Sequence, residues 1–156
     1  MSKPYKIIRA TKADNALIVD NFYKMWQDYD LEKTLDENWQ TITQEFINDA
    51  IDNYSYAGFL LQVDNKTVAT AACQLFNGLY PNVFIAQERK YGYIWAVFVE
   101  RAYRRKGLAK AITSSCNNYL KEIGCTKVLL HASPMGKPVY ESLGFASTNE
   151  MYLDLP

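Results

Sequence analysis

The chain of 156 residues is poor in metal- and disulfide-forming side chains: three cysteines, Cys73, Cys116 and Cys125, and a single histidine, His131. An odd cysteine count without a Cys-x-x-Cys pair offers no disulfide framework, and with one histidine it makes no standard metal-ligand set. Reduced, structural thiols and no metal are the expectation. Nowhere do eighteen consecutive apolar residues occur, and Met1-Ser2-Lys3-Pro4-Tyr5 lacks an apolar signal core, so neither membrane spanning nor export is indicated. A cytoplasmic protein without a membrane partner is expected. Seventeen basic residues balance seventeen acidic ones, which leaves no broad basic face for nucleic acid. Neither GxxxxGK[ST] nor GxGxxG is present. No repeat or low-complexity linker splits the chain, so one domain over residues 1–156 is expected, and 49% hydrophobic residues with 14% aromatics can bury its core.

Tyr5 to Arg9 alternates like a strand. Thr11-Lys12-Ala13-Asp14 then offers a cap with an acid three positions on, and predicts a helix from about Ala13 carrying Leu17, Ile18, Phe22, Met25 and Trp26. Asp36-Glu37-Asn38 opens a second helix, in which Trp39, Ile42, Phe46, Ile47, Ala50 and Ile51 recur at helical spacing. Ser55–Val63 and Thr67–Phe76 read as a hairpin about Asp64-Asn65-Lys66. Residues 77–90 read as a long loop or hairpin extension over a pocket. Tyr91–Val99 reads as a strand, Gly107–Ile123 as a helix with Leu108, Ile112, Cys116 and Leu120 on one face, and Lys127–His131 as a buried parallel strand. Pro138 suits the first turn of a short helix over Lys137–Leu143, and Phe145–Leu155 reads as two antiparallel closing segments. The order βααβββαβαββ predicts a mixed α/β (α+β) sandwich with a twisted central sheet of about seven strands and about four helices.

The most informative stretch runs Val97-Phe98-Val99-Glu100-Arg101-Ala102-Tyr103-Arg104-Arg105-Lys106-Gly107-Leu108-Ala109. An apolar strand passes through a basic turn into a helix. The first turn of a helix has backbone N–H groups without internal partners and the positive end of the macrodipole, so it favours phosphate. Gly107 and Ala109 permit close backbone approach, and Arg101, Arg104, Arg105 and Lys106 add positive charge. Alone, this also fits a basic surface loop. A second signal follows: Tyr140 near the end of a short helix, Gly144 as its cap and Phe145 starting a strand.

Arg104-x-x-Gly107-x-Ala109 resembles the coenzyme-A pyrophosphate loop of the GNAT superfamily of N-acetyltransferases, and Tyr140-x-x-x-Gly144-Phe145 resembles its second signature. The resemblance covers about residues 56–156. It implies a GNAT-like fold, an acetyl-CoA-binding core over about 91–145, and a helical substrate-pocket region over about 11–55. It further implies that backbone groups of Val97, Phe98 and Val99 bind the pantetheine arm. The amides of Arg104, Arg105, Lys106, Gly107, Leu108 and Ala109 would hold the pyrophosphate, and a backbone N–H at or near Val99 would polarise the acetyl carbonyl. Ser133 stands where the family often has an Asn bonding the cofactor arm. Tyr140 is the expected general acid, protonating the coenzyme-A thiolate; a Tyr packed under the sheet is the structural alternative. For the general base, Tyr93 and His131 are candidates and neither is assigned; Glu32, Asp36 and Glu45 either reach the pocket or lie in solvent.

The implied activity is direct acetyl transfer from acetyl-CoA to a primary amine of a small molecule. Three alternatives stay open: a catalytically weak acyl-CoA-binding sensor, transfer to a protein amine, and transfer to a tRNA-borne one. Pairing as a homodimer is likewise open. Trp26–Tyr54 carries eight acids against Lys33 alone, with the aromatics Trp26, Tyr29, Trp39 and Tyr54, whereas Arg101–Lys110 holds five bases and no acid. If the acidic block walls the acceptor site, a cationic acceptor is expected, polyamine-like, aminoglycoside-like or lysine-like.

Overall fold

The computed structural model describes residues 4–156. Five strands, β1 (Lys6–Arg9), β2 (Ala57–Val63), β3 (Lys66–Leu75), β4 (Tyr91–Val99) and β5 (Lys127–Leu129), form one sheet in sequence order. Pairing is antiparallel from β1 through β4, and β5 joins β4 in parallel. The helices are α1 (Asn15–Asp28), α2 (Trp39–Asn53), the short α3 (Leu79–Asn82), α4 (Leu108–Glu122) and α5 (Lys137–Ser142). No helix among the described residues is long and apolar enough to cross a membrane.

The start of α1 follows the local signal. The Thr11 backbone N–H and hydroxyl both donate to the Asp14 carboxylate, at 2.7 and 2.9 Å. The helical spacing of Leu108, Ile112, Cys116 and Leu120 turns them all inward, where they pack on Ala69, Ala71, Cys73, Ile94 and Val99 of the sheet. The opposite sheet face is covered by α1 and α2 through Ile18, Val19, Ile47 and Ala50 against Leu60, Ala72 and Ala96. The result is a sheet with helices on both faces. Gly92 lies where β4 passes under α4; a Cβ there would sit 2.7 Å from Leu120 Cδ1, so the absence of a side chain lets strand and helix close together.

Three expectations are corrected. The sheet has five strands, because Phe145–Leu155 forms none. Met151, Leu153 and Leu155 do alternate, yet they are 82–92% exposed; alternation becomes a strand only where a neighbouring edge supplies the ladder hydrogen bonds. The fifth strand stops at Leu129 and is only partly buried. Residues 77–90 include α3 and line neither of the two large cavities. Leu79, Tyr80 and Ile85 of that segment stand 66–70% exposed.

Candidate active site

The site begins where β4 and β5 part. Their pairing covers only Tyr91–Tyr93 against Lys127–Leu129, and beyond it the two chains diverge. At the same place β4 bulges: Ala72 faces Trp95 and Thr70 faces Phe98, so Ala96 and Val97 together oppose Ala71. Ala96 takes a left-handed φ of 54°, uncommon for a residue with a Cβ, and such outliers cluster at functional sites. The extra residue has no ladder partner, which frees backbone polar groups of the strand beside the opening.

Two cavities meet here. One, of about 820 Å³, lies between α1, α2, β4 and the chain after β5, and is walled by Phe22, Trp26, Phe46, Tyr93, Trp95 and His131 among others. Its rings pack edge to face, Trp95 against Phe22 at 5.2 Å and against Phe46 at 5.4 Å. Trp95 is fixed by its indole N–H, which donates to Gln74 Oε1 at 3.1 Å. The other cavity, of about 700 Å³, runs along the basic turn and is bordered by Val99, Arg105, Gly107, Leu108, Ala109 and Lys110. Tyr29, Val97, Ser133 and Tyr140 border both.

In the basic turn, Arg105 (φ 61°) and Gly107 (φ 77°) are both left-handed, and Gly107 immediately precedes α4. A Cβ on Gly107 would meet nothing within 4 Å. The glycine is therefore needed for its backbone conformation, with open space in front of it. No side chain caps α4, so the first amides of the helix remain free for an anion. The residues thus suit a pyrophosphate.

Arg104 serves a different purpose from its neighbours. Its Nε donates to the Val99 carbonyl at 2.8 Å and its Nη2 to Asp28 Oδ2 at 2.6 Å, while Arg101 Nη2 reaches Asp28 Oδ1 at 3.0 Å. The end of β4, the basic turn and the end of α1 are thereby tied together. Burial pushes the Asp28 carboxyl upward, but hydrogen bonds and charge from Arg104 and Arg101 outweigh it and hold the group below its ordinary value. Lys106 lies outside the cleft lining, with its ammonium 5.4 Å from the centre of the Tyr103 ring. Phe98 is buried beneath the Arg104 guanidinium and lines neither cavity.

Tyr140 stands at the junction. Its ring packs on Phe145 at 6.0 Å, and its hydroxyl has no hydrogen-bond partner among the described residues. Burial, with smaller contributions from Tyr29 and Cys116, pushes the phenol up to about 12, so it remains a proton donor at neutral pH. The Ser133 oxygen accepts the Gly136 N–H at 3.0 Å, and its own proton remains available to donate.

None of the acids of the Trp26–Tyr54 block lines the aromatic cavity. Asp30, Asp36, Glu37, Glu45, Asp49 and Asp52 are exposed, Glu32 is half-buried elsewhere, and Asp28 borders the basic cleft in its clamp. Of the aromatics in that block, Trp26, Tyr29 and Phe46 reach the cavity; Trp39 instead stacks on Tyr23 at 4.4 Å. Sequence reasoning missed the Asp28 clamp and the bulge, and neither has a local signal. Phe22 and Phe46 were readable only as apolar helix positions. Among the described residues no cluster of three or more His, Cys, Asp or Glu is placed to hold a metal ion.

Comparison with known proteins agrees with this geometry. The Acetyltransferase (GNAT) family model matches residues 16–145. Glucosamine 6-phosphate N-acetyltransferase of Trypanosoma brucei brucei is 41% identical over 68 residues, which is 43% of this chain and 46% of that protein, so the match spans about half the length of the curated relative. A GCN5-related N-acetyltransferase from Ralstonia eutropha superposes with a TM-score of 0.83 at 21% identity, over 97% of this chain and 98% of its own. A predicted acetyltransferase from Clostridium acetobutylicum, solved with acetyl-CoA, superposes with a TM-score of 0.78 at 27% identity, over 97% and 96%.

Proposed function

Because this chain belongs to the Acetyltransferase (GNAT) family, we propose that it moves an acetyl group from acetyl-CoA directly to the primary amine of a small molecule. One observation carries the reading: a cleft edged by a basic turn and an uncapped helix start opens into an aromatic cavity, and the unpartnered Tyr140 hydroxyl lies at their shared wall. The amides from Arg104 to Ala109 receive the pyrophosphate. Backbone groups of Val97 and Val99, beside the bulge, bind the pantetheine arm, and a backbone N–H at or near Val99 polarises the acetyl carbonyl. Attack by the amine then expels the coenzyme-A thiolate, and Tyr140 protonates it. Ser133 borders both cavities and donates to the arm between them.

The acceptor's positive charge is met by rings instead of carboxylates. Trp26, Tyr29, Phe46 and Trp95 line the cavity with aromatic surface, which suits an ammonium carried on an apolar or aromatic body. Glucosamine 6-phosphate, the substrate named for the curated relative, carries a phosphate that requires cationic partners, and no Lys or Arg lines the aromatic cavity. The reading is tested by thiol release from acetyl-CoA across an amine panel. We expect 2-phenylethylamine to exceed glucosamine 6-phosphate in kcat/KM, and Trp95→Ala to raise KM for it with little change in acetyl-CoA affinity. No thiol release with any amine would refute the transfer. A preference for glucosamine 6-phosphate would refute the acceptor class.

A further inference from the structure

Resting on the transfer reading above, we propose that Tyr93 and His131 form the relay that removes the proton from the acceptor's ammonium group, Tyr93 touching the amine and His131 acting through it. Tyr93 Oη lies 2.7 Å from His131 Nδ1, and both side chains line the aromatic cavity that reaches Tyr140. On the far side of the imidazole, Nε2 is 3.6 Å from Glu150 Oε1. The backbone explains the meeting: Tyr93 is the last residue of β4 paired to β5, opposite Leu129, and His131 follows two positions later where the strands separate.

An aliphatic amine is a cation at neutral pH and has no lone pair with which to attack a thioester. Something in the cavity must take its proton, and no carboxylate lines it. The titratable groups that share this cavity or contact the pair are Tyr29 just after α1, Tyr140 from α5 and Glu150 from the C-terminal segment; α2 contributes only Ile42, Thr43 and Phe46. Of the lining side chains, the His131 imidazole is the one with a bare ring nitrogen able to accept a proton on one edge and a second nitrogen able to give one up on the other. Tyr93 is held as a neutral phenol, raised by its burial and then by the Glu150 charge, so it passes a proton on instead of standing as phenolate.

The protons balance. An ammonium N–H bond breaks and its proton goes to Tyr93 Oη as the phenolic proton moves to His131 Nδ1. The resulting imidazolium is 71% exposed and turns Nε2 toward the Glu150 carboxylate, so it releases the Nε2 proton to water, and proton exchange with solvent restores the Nε2–H tautomer. The freed lone pair attacks the acetyl carbonyl. A second nitrogen-bound proton is lost when the intermediate collapses, and it balances the one that Tyr140 gives to the thiolate. Per turnover, one proton leaves through His131 and one ends on coenzyme A.

Because His131 is the sole histidine, its ring nitrogens are read directly by 15N NMR with no acceptor present. We expect the neutral ring to carry its proton on Nε2, with Nδ1 bare and accepting from Tyr93, and this preference to weaken in Tyr93→Phe. A proton on Nδ1 in the wild type overturns the proposal. The kinetic arm uses acetyl-CoA with 2-phenylethylamine, cationic at pH 7, and phenylhydrazine, neutral at that pH. Tyr93→Phe and His131→Gln should each lower kcat/KM for 2-phenylethylamine about a hundredfold at pH 7. The loss should shrink as rising pH deprotonates the free amine, while phenylhydrazine turnover falls little. Equal losses on both probes, independent of pH, mark a structural role and overturn the relay. If the wild type acetylates neither probe, the acceptor class above fails, and the NMR result alone decides the relay.

Discussion

Breaking the clamp at Asp28 offers a stability test with a definite sign. The Arg104–Asp28 contact is 2.6 Å long between side chains 35% and 21% exposed, whereas Arg101 at 79% exposure contributes little. Exposed pairs are worth about 0–1 kcal/mol, and removing one partner of a buried pair costs about 3–5. Discounting for the partial exposure, Arg104 and Asp28 should couple by about 1–2 kcal/mol in a double-mutant cycle of Asp28→Asn and Arg104→Gln. For a domain of 156 residues that is a Tm change of about 3–6 °C. The folded Asp28 carboxyl is depressed below the ordinary value of 3.8. Its contribution is therefore fully present above that value and is lost as pH falls through the lower folded one. The Tm gap between wild type and Asp28→Asn should stay constant from neutral pH down to about 5 and narrow below about 4. Additive single mutants, or a gap that widens on acidification, would refute the clamp.

Other expectations follow from single positions. Gly107→Val forces a β-branched residue into a left-handed conformation and should weaken acetyl-CoA binding by calorimetry far more than Arg105→Ala, which leaves the backbone amides in place; equal dissociation constants would contradict the backbone cradle. Gly92→Ala should destabilise by about 1–3 kcal/mol in urea unfolding, because its Cβ would press on Leu120. Gly136→Ala would place a Cβ 3.1 Å from the Tyr140 ring and from Ser133 Oγ, so it should lower kcat while acetyl-CoA affinity changes little.

How much of this was legible depended on how local each cause was. The face of α4 was readable because Leu108, Ile112, Cys116 and Leu120 follow the helical period, and a helix period needs no partner to be recognised. The Thr11–Asp14 cap and the turn at Gly107 were equally local. The C-terminal segment misled because Met151, Leu153 and Leu155 have the alternation of a strand without the neighbouring edge. Asp28 and Arg104 are 76 residues apart, and nothing at either position announces the other. The acidic block misled in another way: charge counted along a segment says nothing of which helix face carries it. Here six of the eight acids face solvent and Asp28 is held in its clamp, while Phe22, Trp26 and Phe46 face the cavity.

The central claim is that the two cavities form one path for acetyl transfer, with Tyr140 as the proton donor at their junction. Its most direct test is turnover of acetyl-CoA with 2-phenylethylamine by wild type and Tyr140→Phe, with acetyl-CoA affinity measured on both. The account predicts a loss in kcat of about a hundredfold or more at nearly unchanged affinity, as for removal of a general acid. Undiminished turnover in Tyr140→Phe would contradict it and make Tyr140 a packing residue beside Phe145.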